Sequence, residues 1–195
     1  EYDGNFYFIG DYRKIAVNTR LYLTDNFVAG FTYADGTPLA VGYYTFDAEG
    51  KMVVLNGVVD GYMYINNQRV NRYALIEFEG NYYFVGDGRK VVMNSKVYLT
   101  SEYLEGFTYA DGTAMKPGYY EFDSEGKMVI KNGVIDGFMY INNERVNRYA
   151  LIEYDGNFYY VGDYRKVVTN KRQWLTAEDV AGKTFADGCM IEVGS

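Results

Sequence analysis

The chain has no histidine, a single cysteine, two prolines and one tryptophan in 195 residues. Without histidine, the Ser-His-Asp and Cys-His arrangements lack their usual base. Cys189 alone excludes an internal disulfide framework. Its neighbours Asp187, Gly188 and Met190 bring no base or positive charge that would activate a thiolate. No His/Cys spacing for a metal exists, and "FDAEG" carries too few oxygen ligands for a calcium loop. No glycine loop of the phosphate-binding kind precedes a helix. The expectation is therefore no catalytic residue, no metal and no cofactor. Paired carboxylates such as Asp47 and Glu49 leave a remote alternative, a glycan-active enzyme, but they stand at a repeated turn rather than in one unique cleft.

Positive charge is also scarce. The net charge is −7, and Arg13-Lys14, Arg89-Lys90 and Arg165-Lys166 are isolated pairs among more numerous acids. A nucleic-acid backbone needs clustered cations, so no nucleic-acid partner is expected. No apolar run approaches the ~18–20 residues that span a bilayer, and the chain is not expected to span a membrane. An initiator Met, a signal peptide and Asn-x-Ser/Thr sequons are missing. The chain opens on Glu1-Tyr2-Asp3-Gly4 in mid-pattern, which suggests a fragment or a processed form. Cysteine usage fits the cytosol and an exported protein equally well.

What the chain has instead is tyrosine (23), phenylalanine (12) and glycine (22), within a hydrophobic share of 48% that suffices for a core. Aromatic and β-branched residues punctuated by glycine favour strands and tight turns. The expected class is all-β.

The order of these residues is periodic. Glu1-Tyr2-Asp3-Gly4-Asn5 returns as Glu77-Phe78-Glu79-Gly80-Asn81 and as Glu153-Tyr154-Asp155-Gly156-Asn157, an offset of 76 residues each time. Residues 1–76 and 77–152 match at 49 positions without insertion or deletion. The organisation read from this is repeat unit 1 (1–76), repeat unit 2 (77–152), and a partial unit 3 (153–195) that forms a C-terminal cap, all in one continuous repeat domain. Lys171-Arg172-Gln173-Trp174, Lys183 in place of Phe31, and Cys189 in place of Thr37 mark the cap.

Each unit divides into four shorter pieces. "NFYFIGDYRKIAVN" (5–18) reads as a hairpin whose second strand runs on into "RLYL" (20–23). Thr24-Asp25 closed by Gly30 reads as one capped helical turn, repeated at 100–106 and 176–182, with Ala34-Asp35-Gly36 a turn behind it. "GYYTFDAEGKMV" (42–53) and "GYYEFDSEGKMV" (118–129) are hairpins, with Asp first and Gly fourth in a type I turn. "YMYINNQRVNRYALI" (62–76) is a hairpin turning at Asn66-Asn67, a pair that tolerates positive φ. "FYFI" (6–9), "YYF" (82–84) and "YMYI" (62–65) are apolar at successive positions, so both strand faces must be covered. That pattern suits an elongated, solenoid-like array of stacked β-hairpins with short helical turns. A β-sandwich is the alternative.

At "YYTFDAEGKMV" and "YYEFDSEGKMV" the sequence resembles the cell-wall-binding repeats of Gram-positive surface proteins, the choline-binding and glucan-binding group. The resemblance is closest over 42–57 and 118–133, looser over 5–18, 81–94 and 157–170, and does not extend to the helical-turn segments. It implies a hairpin solenoid, a secreted or cell-surface location, and a cell-wall polysaccharide or teichoic acid as partner. Choline-binding members place a Trp after the glycine that follows the second strand. Here Gly57 and Gly133 are followed by Val58 and Val134, and the one tryptophan, Trp174, replaces Tyr22 and Tyr98.

The candidate ligand-binding aromatics are Tyr43, Tyr44, Tyr62, Tyr64, Tyr119, Tyr120, Tyr140 and Trp174, with Phe138 at the place of Tyr62. Some of these rings could stack on sugars or enclose a cation in grooves between hairpins, and repeated weak sites would sum by avidity. Packing accounts for the same rings, since a Tyr fills the space between hairpins and keeps its hydroxyl at the rim. The function expected is a non-catalytic repeat module that binds surface glycan. An adhesin or spacer contacting host surface protein is the alternative. Its contacts would lie on the variable patches at 25–29 and 38–41 and their counterparts at 101–105 and 114–117.

Overall fold

The computed structural model describes residues 1–194. Short antiparallel strands form separate sheets of two or three strands, and no sheet closes into a barrel among the described residues. The first sheet orders β1 (Thr19–Leu23), β2 (Gly42–Phe46) and β3 (Met52–Val53). A meander of β4 (Gly57–Val59), β5 (Tyr62–Ile65) and β6 (Gln68–Arg69) follows, then a hairpin of β7 (Ala74–Phe78) and β8 (Asn81–Val85). The order repeats as β9 (Ser95–Leu99), β10 (Gly118–Phe122) and β11 (Met128–Val129), next β12 (Gly133–Ile135), β13 (Phe138–Ile141) and β14 (Glu144–Arg145), and finally β15 (Ala150–Tyr154) with β16 (Asn157–Val161). Single helical turns α1 (Asp25–Val28), α2 (Ser101–Leu104) and α3 (Ala177–Val180) interrupt the strands. Among the described residues no helix is long and apolar enough to cross a membrane.

The turns form where local chemistry dictates. Asn66 and Asn67 take φ of 49° and 64° and close β5 onto β6. Gly50 takes φ of 77°, and the Asp47 carboxylate accepts from the Glu49 and Lys51 amides at 3.0 and 2.8 Å. A Cβ on Gly50 would strike Ile15 Cγ2, so this glycine is required by space as well as by dihedral. Thr24, Thr100 and Thr176 stand at the N-caps of the helical turns. Thr24 and Thr100 make no side-chain capping bond, whereas Thr176 closes a full capping box with Asp179.

Three local expectations change. The stretch "RLYL" does not continue the 5–18 hairpin; β1 pairs with β2, Tyr22 opposite Tyr43. Asn18 takes a left-handed φ of 47° and donates to the Asp47 carbonyl at 2.8 Å, which turns the chain away. A further hairpin closes at Asp60-Gly61, with φ of 51° and 79°. Lastly, "RYALI" belongs to the next hairpin, because β7 runs through position 76–77 and turns at Glu79-Gly80 onto β8. The repeat as spelled and the hairpin as folded are thus out of phase. After the equivalent Asp3-Gly4 turn, residues 5–9 make isolated bridges, such as Ile9 to Ile15, in place of a strand.

Packing divides the chain into two compact units: Glu1–Gly106 with Met115–Met128, and Phe107–Ala114 with the chain from Val129 on. The first holds a cluster of Leu23, Val28, Tyr33, Leu39, Tyr44, Phe46 and Met52, and another of Met63, Tyr83, Val85 and Val91. In the second, Leu151, Val180 and Ile191 pack with Phe158, Tyr160 and Leu175. Full burial of Met63 and Leu99 stabilises the fold by roughly 1.5–3 kcal/mol each.

Candidate functional site

Strand alternation sorts the aromatics into two sets. In β2, Tyr43 and Thr45 point outward while Tyr44 and Phe46 point inward, and Tyr43 is 61% exposed against 2% for Tyr44. β10 repeats this, with Tyr119 66% and Tyr120 3% exposed. Tyr44 donates its hydroxyl to the Ala40 carbonyl at 2.5 Å, and Tyr120 donates to Lys116 at 2.7 Å. These two rings are core. With so little exposure, neither ring offers a face to solvent.

The outward tyrosines come in pairs. Tyr22 lies opposite Tyr43, their ring centroids 5.0 Å apart at 70°. Tyr98 lies opposite Tyr119 at 5.2 Å and 77°. All four rings are exposed. An edge-to-face pair of this kind is worth about 0.5–1.5 kcal/mol beyond burial, and it holds two ring faces at a fixed corner on the sheet surface. Each corner carries a cation on the same face. The Arg20 guanidinium carbon lies 4.7 Å from the Tyr43 centroid, and the Lys96 ammonium 5.6 Å from that of Tyr119. Trp174 takes the position of Tyr22 and Tyr98 in the third repeat and is likewise exposed.

The remaining candidates sit differently. Tyr62 is half-buried, with the Arg69 guanidinium 3.7 Å and the Lys90 ammonium 5.6 Å from its centroid. Phe138 is covered in the same way by Arg145 at 3.8 Å and Lys166 at 5.3 Å. The protein's own cations therefore cover these two rings. Tyr64 and Tyr140 are half-buried at the centre of their meanders, Tyr64 between Gly57 and Arg69, Tyr140 between Gly133 and Arg145.

Sequence reasoning missed Tyr22 and Tyr98 as ring partners. The strict alternation of "GYYTF" was the available signal, since it lets only one tyrosine of each doublet face out. It also missed Tyr12 and Tyr164, 94% and 88% exposed, both at φ of 57° where the middle repeat has Gly88.

Electrostatics at the turns is structural. The Asp35 and Asp111 carboxylates lie below the usual carboxylate range because the Thr37 and Thr113 amides donate to them, assisted by the Asn66 and Asn142 side chains at 2.9 and 2.8 Å. Asp47, the carboxylate of the glycosidase alternative, is occupied by its own turn. A cleft of about 580 Å³ in the first unit is lined by Asn56, Gly57, Phe78, Asn81, Tyr83 and Lys127, among others. Its Glu125 is ion-paired to Lys127 at 2.6 Å. Among the described residues no three His, Cys, Asp or Glu side chains gather as a metal site.

No protein-family model matches the sequence, and no curated protein matches it. Among solved structures, the chain is similar to the modular autolysin LytC from Streptococcus pneumoniae, solved with a synthetic peptidoglycan ligand. Identity is 12% and the TM-score 0.28, over 86% of this chain and 43% of that one. It is also similar to choline binding protein F from Streptococcus pneumoniae, at 17% identity and a TM-score of 0.23, over 98% of this chain and 85% of that one. The chain thus spans less than half of the autolysin's length.

Proposed function

We propose that the chain is a non-catalytic repeat module that binds cell-wall or other surface glycan through its outward tyrosine pairs, and that it acts at a bacterial surface. The observation that carries this is the recurrence of Tyr22–Tyr43 as Tyr98–Tyr119, each an exposed corner of two rings on a sheet face. Filling the core does not call for outward rings, because the inward members of each doublet already do so. A ring face covers the apolar face of a sugar, while the phenol and neighbouring polar groups reach its hydroxyls. A single corner of this size binds weakly. Several on one chain, engaging a repeating polymer, gain about 10²–10⁴ in avidity.

The test is affinity electrophoresis of the chain in gels containing bacterial polysaccharides that carry both neutral and acidic sugars, comparing wild type with Tyr43→Ala and Tyr119→Ala. Retardation that weakens in each single variant and vanishes in the double supports the proposal. Retardation unchanged in the double variant removes the tyrosine pairs from it. Binding to host surface proteins with no glycan retardation would favour the adhesin alternative.

A further inference from the structure

The two tyrosine corners are alike in rings and unlike in charge. Lys96 stands directly opposite Glu121, and their side chains form an ion pair at 3.7 Å. Arg20 stands opposite Thr45, and among the described residues no ion pair reaches its guanidinium. One corner thus presents an uncompensated cation beside its rings and the other a neutralised one. The third repeat spells the same order, Arg172 two residues before Trp174 as Arg20 is two before Tyr22.

From this we infer that the Tyr22–Tyr43 corner selects sugars bearing an anionic substituent, a carboxylate or a phosphate, while the Tyr98–Tyr119 corner selects neutral ones. The inference rests on the glycan-binding function proposed above. A guanidinium presents paired donors that match a carboxylate or phosphate geometrically. Held against the Tyr43 ring, it is partly ordered before any ligand arrives. The opposing Glu121 lowers the local potential at the second corner and repels an anion there. The net charge of −7 does not cancel this preference. At ~0.15 M salt the screening length is about 8 Å, so distant acids are screened while an anion seated at Arg20 is not.

The experiment swaps the facing residues. Thr45→Glu and Glu121→Thr each place a side chain that the fold already accepts at the equivalent position. Binding is measured calorimetrically on the full chain with three probes: a uronic-acid oligosaccharide, its carboxyl-reduced neutral form, and a glycerol-phosphate polymer. The readout is the ratio of anionic to neutral affinity. The proposal expects Thr45→Glu to lower the ratio by about threefold to tenfold and Glu121→Thr to raise it, both effects fading in ~1 M salt. Whichever anionic probe responds identifies carboxylate or phosphate as the substituent. Ratios unchanged in both variants, with neutral binding intact, overturn this inference and leave the tyrosine corners standing. Failure of all three probes to bind overturns the corners, and the inference with them.

Discussion

Adjacent tyrosines on one strand do different work, and substitution separates their roles. Tyr44→Phe removes the donor to the Ala40 carbonyl and is expected to cost about 0.5–1.5 kcal/mol. Tyr44→Ala empties a packed site and is expected to cost about 3–5 kcal/mol. Tyr43→Ala, on the exposed face, gives up its ring pair with Tyr22 and should cost about 0.5–1.5 kcal/mol while weakening glycan retention. Urea unfolding of the three variants, read alongside retention, measures the separation. Equal destabilisation by Tyr43→Ala and Tyr44→Ala would contradict the inward–outward assignment. Glycine has its own residue-scale prediction. Gly50→Ala must adopt φ near 77° and collide with Ile15, so a loss of about 2–4 kcal/mol is expected by the same measurement.

At the scale of elements, the Asp35-Gly36 and Asp111-Gly112 turns are each tied to an Asn-Asn turn 31 residues on, Asp35 to Asn66 and Asp111 to Asn142. Because these carboxylates titrate lower when folded than when unfolded, their contribution is complete above about pH 4 and is lost as pH falls through the folded value. Thermal unfolding between pH 5 and 2 should show this decline, and the double variant Asp35→Asn/Asp111→Asn should flatten it. An identical acid slope in wild type and variant would show that the carboxylates carry no linkage.

The elements also show what a sequence reveals. Asn66-Asn67, Asp47–Gly50 and the helical turns behind Thr24, Thr100 and Thr176 were legible because each carries its backbone preference in a few adjacent residues. The partner of β1 was not legible. Thr19–Leu23 pairs across a helical turn and a loop with Gly42–Phe46, a choice made by tertiary packing rather than by neighbours in the chain. The site was half legible for the same reason. Tyr43 and Tyr119 were visible as aromatics, but their ring partners Tyr22 and Tyr98 follow only from that pairing.

At the scale of the whole chain, repetition brings multiplicity. Two tyrosine corners and a third aromatic at Trp174 predict that retention on a polymer falls more steeply than any single-site affinity as corners are removed. Short oligosaccharides, engaging one corner at a time, should bind far more weakly than the polymer and compete poorly with it. The most direct measurement is retention on purified Gram-positive cell walls, with and without teichoic acid. It compares the wild-type chain with a Tyr43→Ala/Tyr119→Ala/Trp174→Ala variant of unchanged circular dichroism. The account predicts that the wild type is retained and the triple variant is released. Equal retention of the two, or no retention of the wild type on any wall preparation, would contradict it.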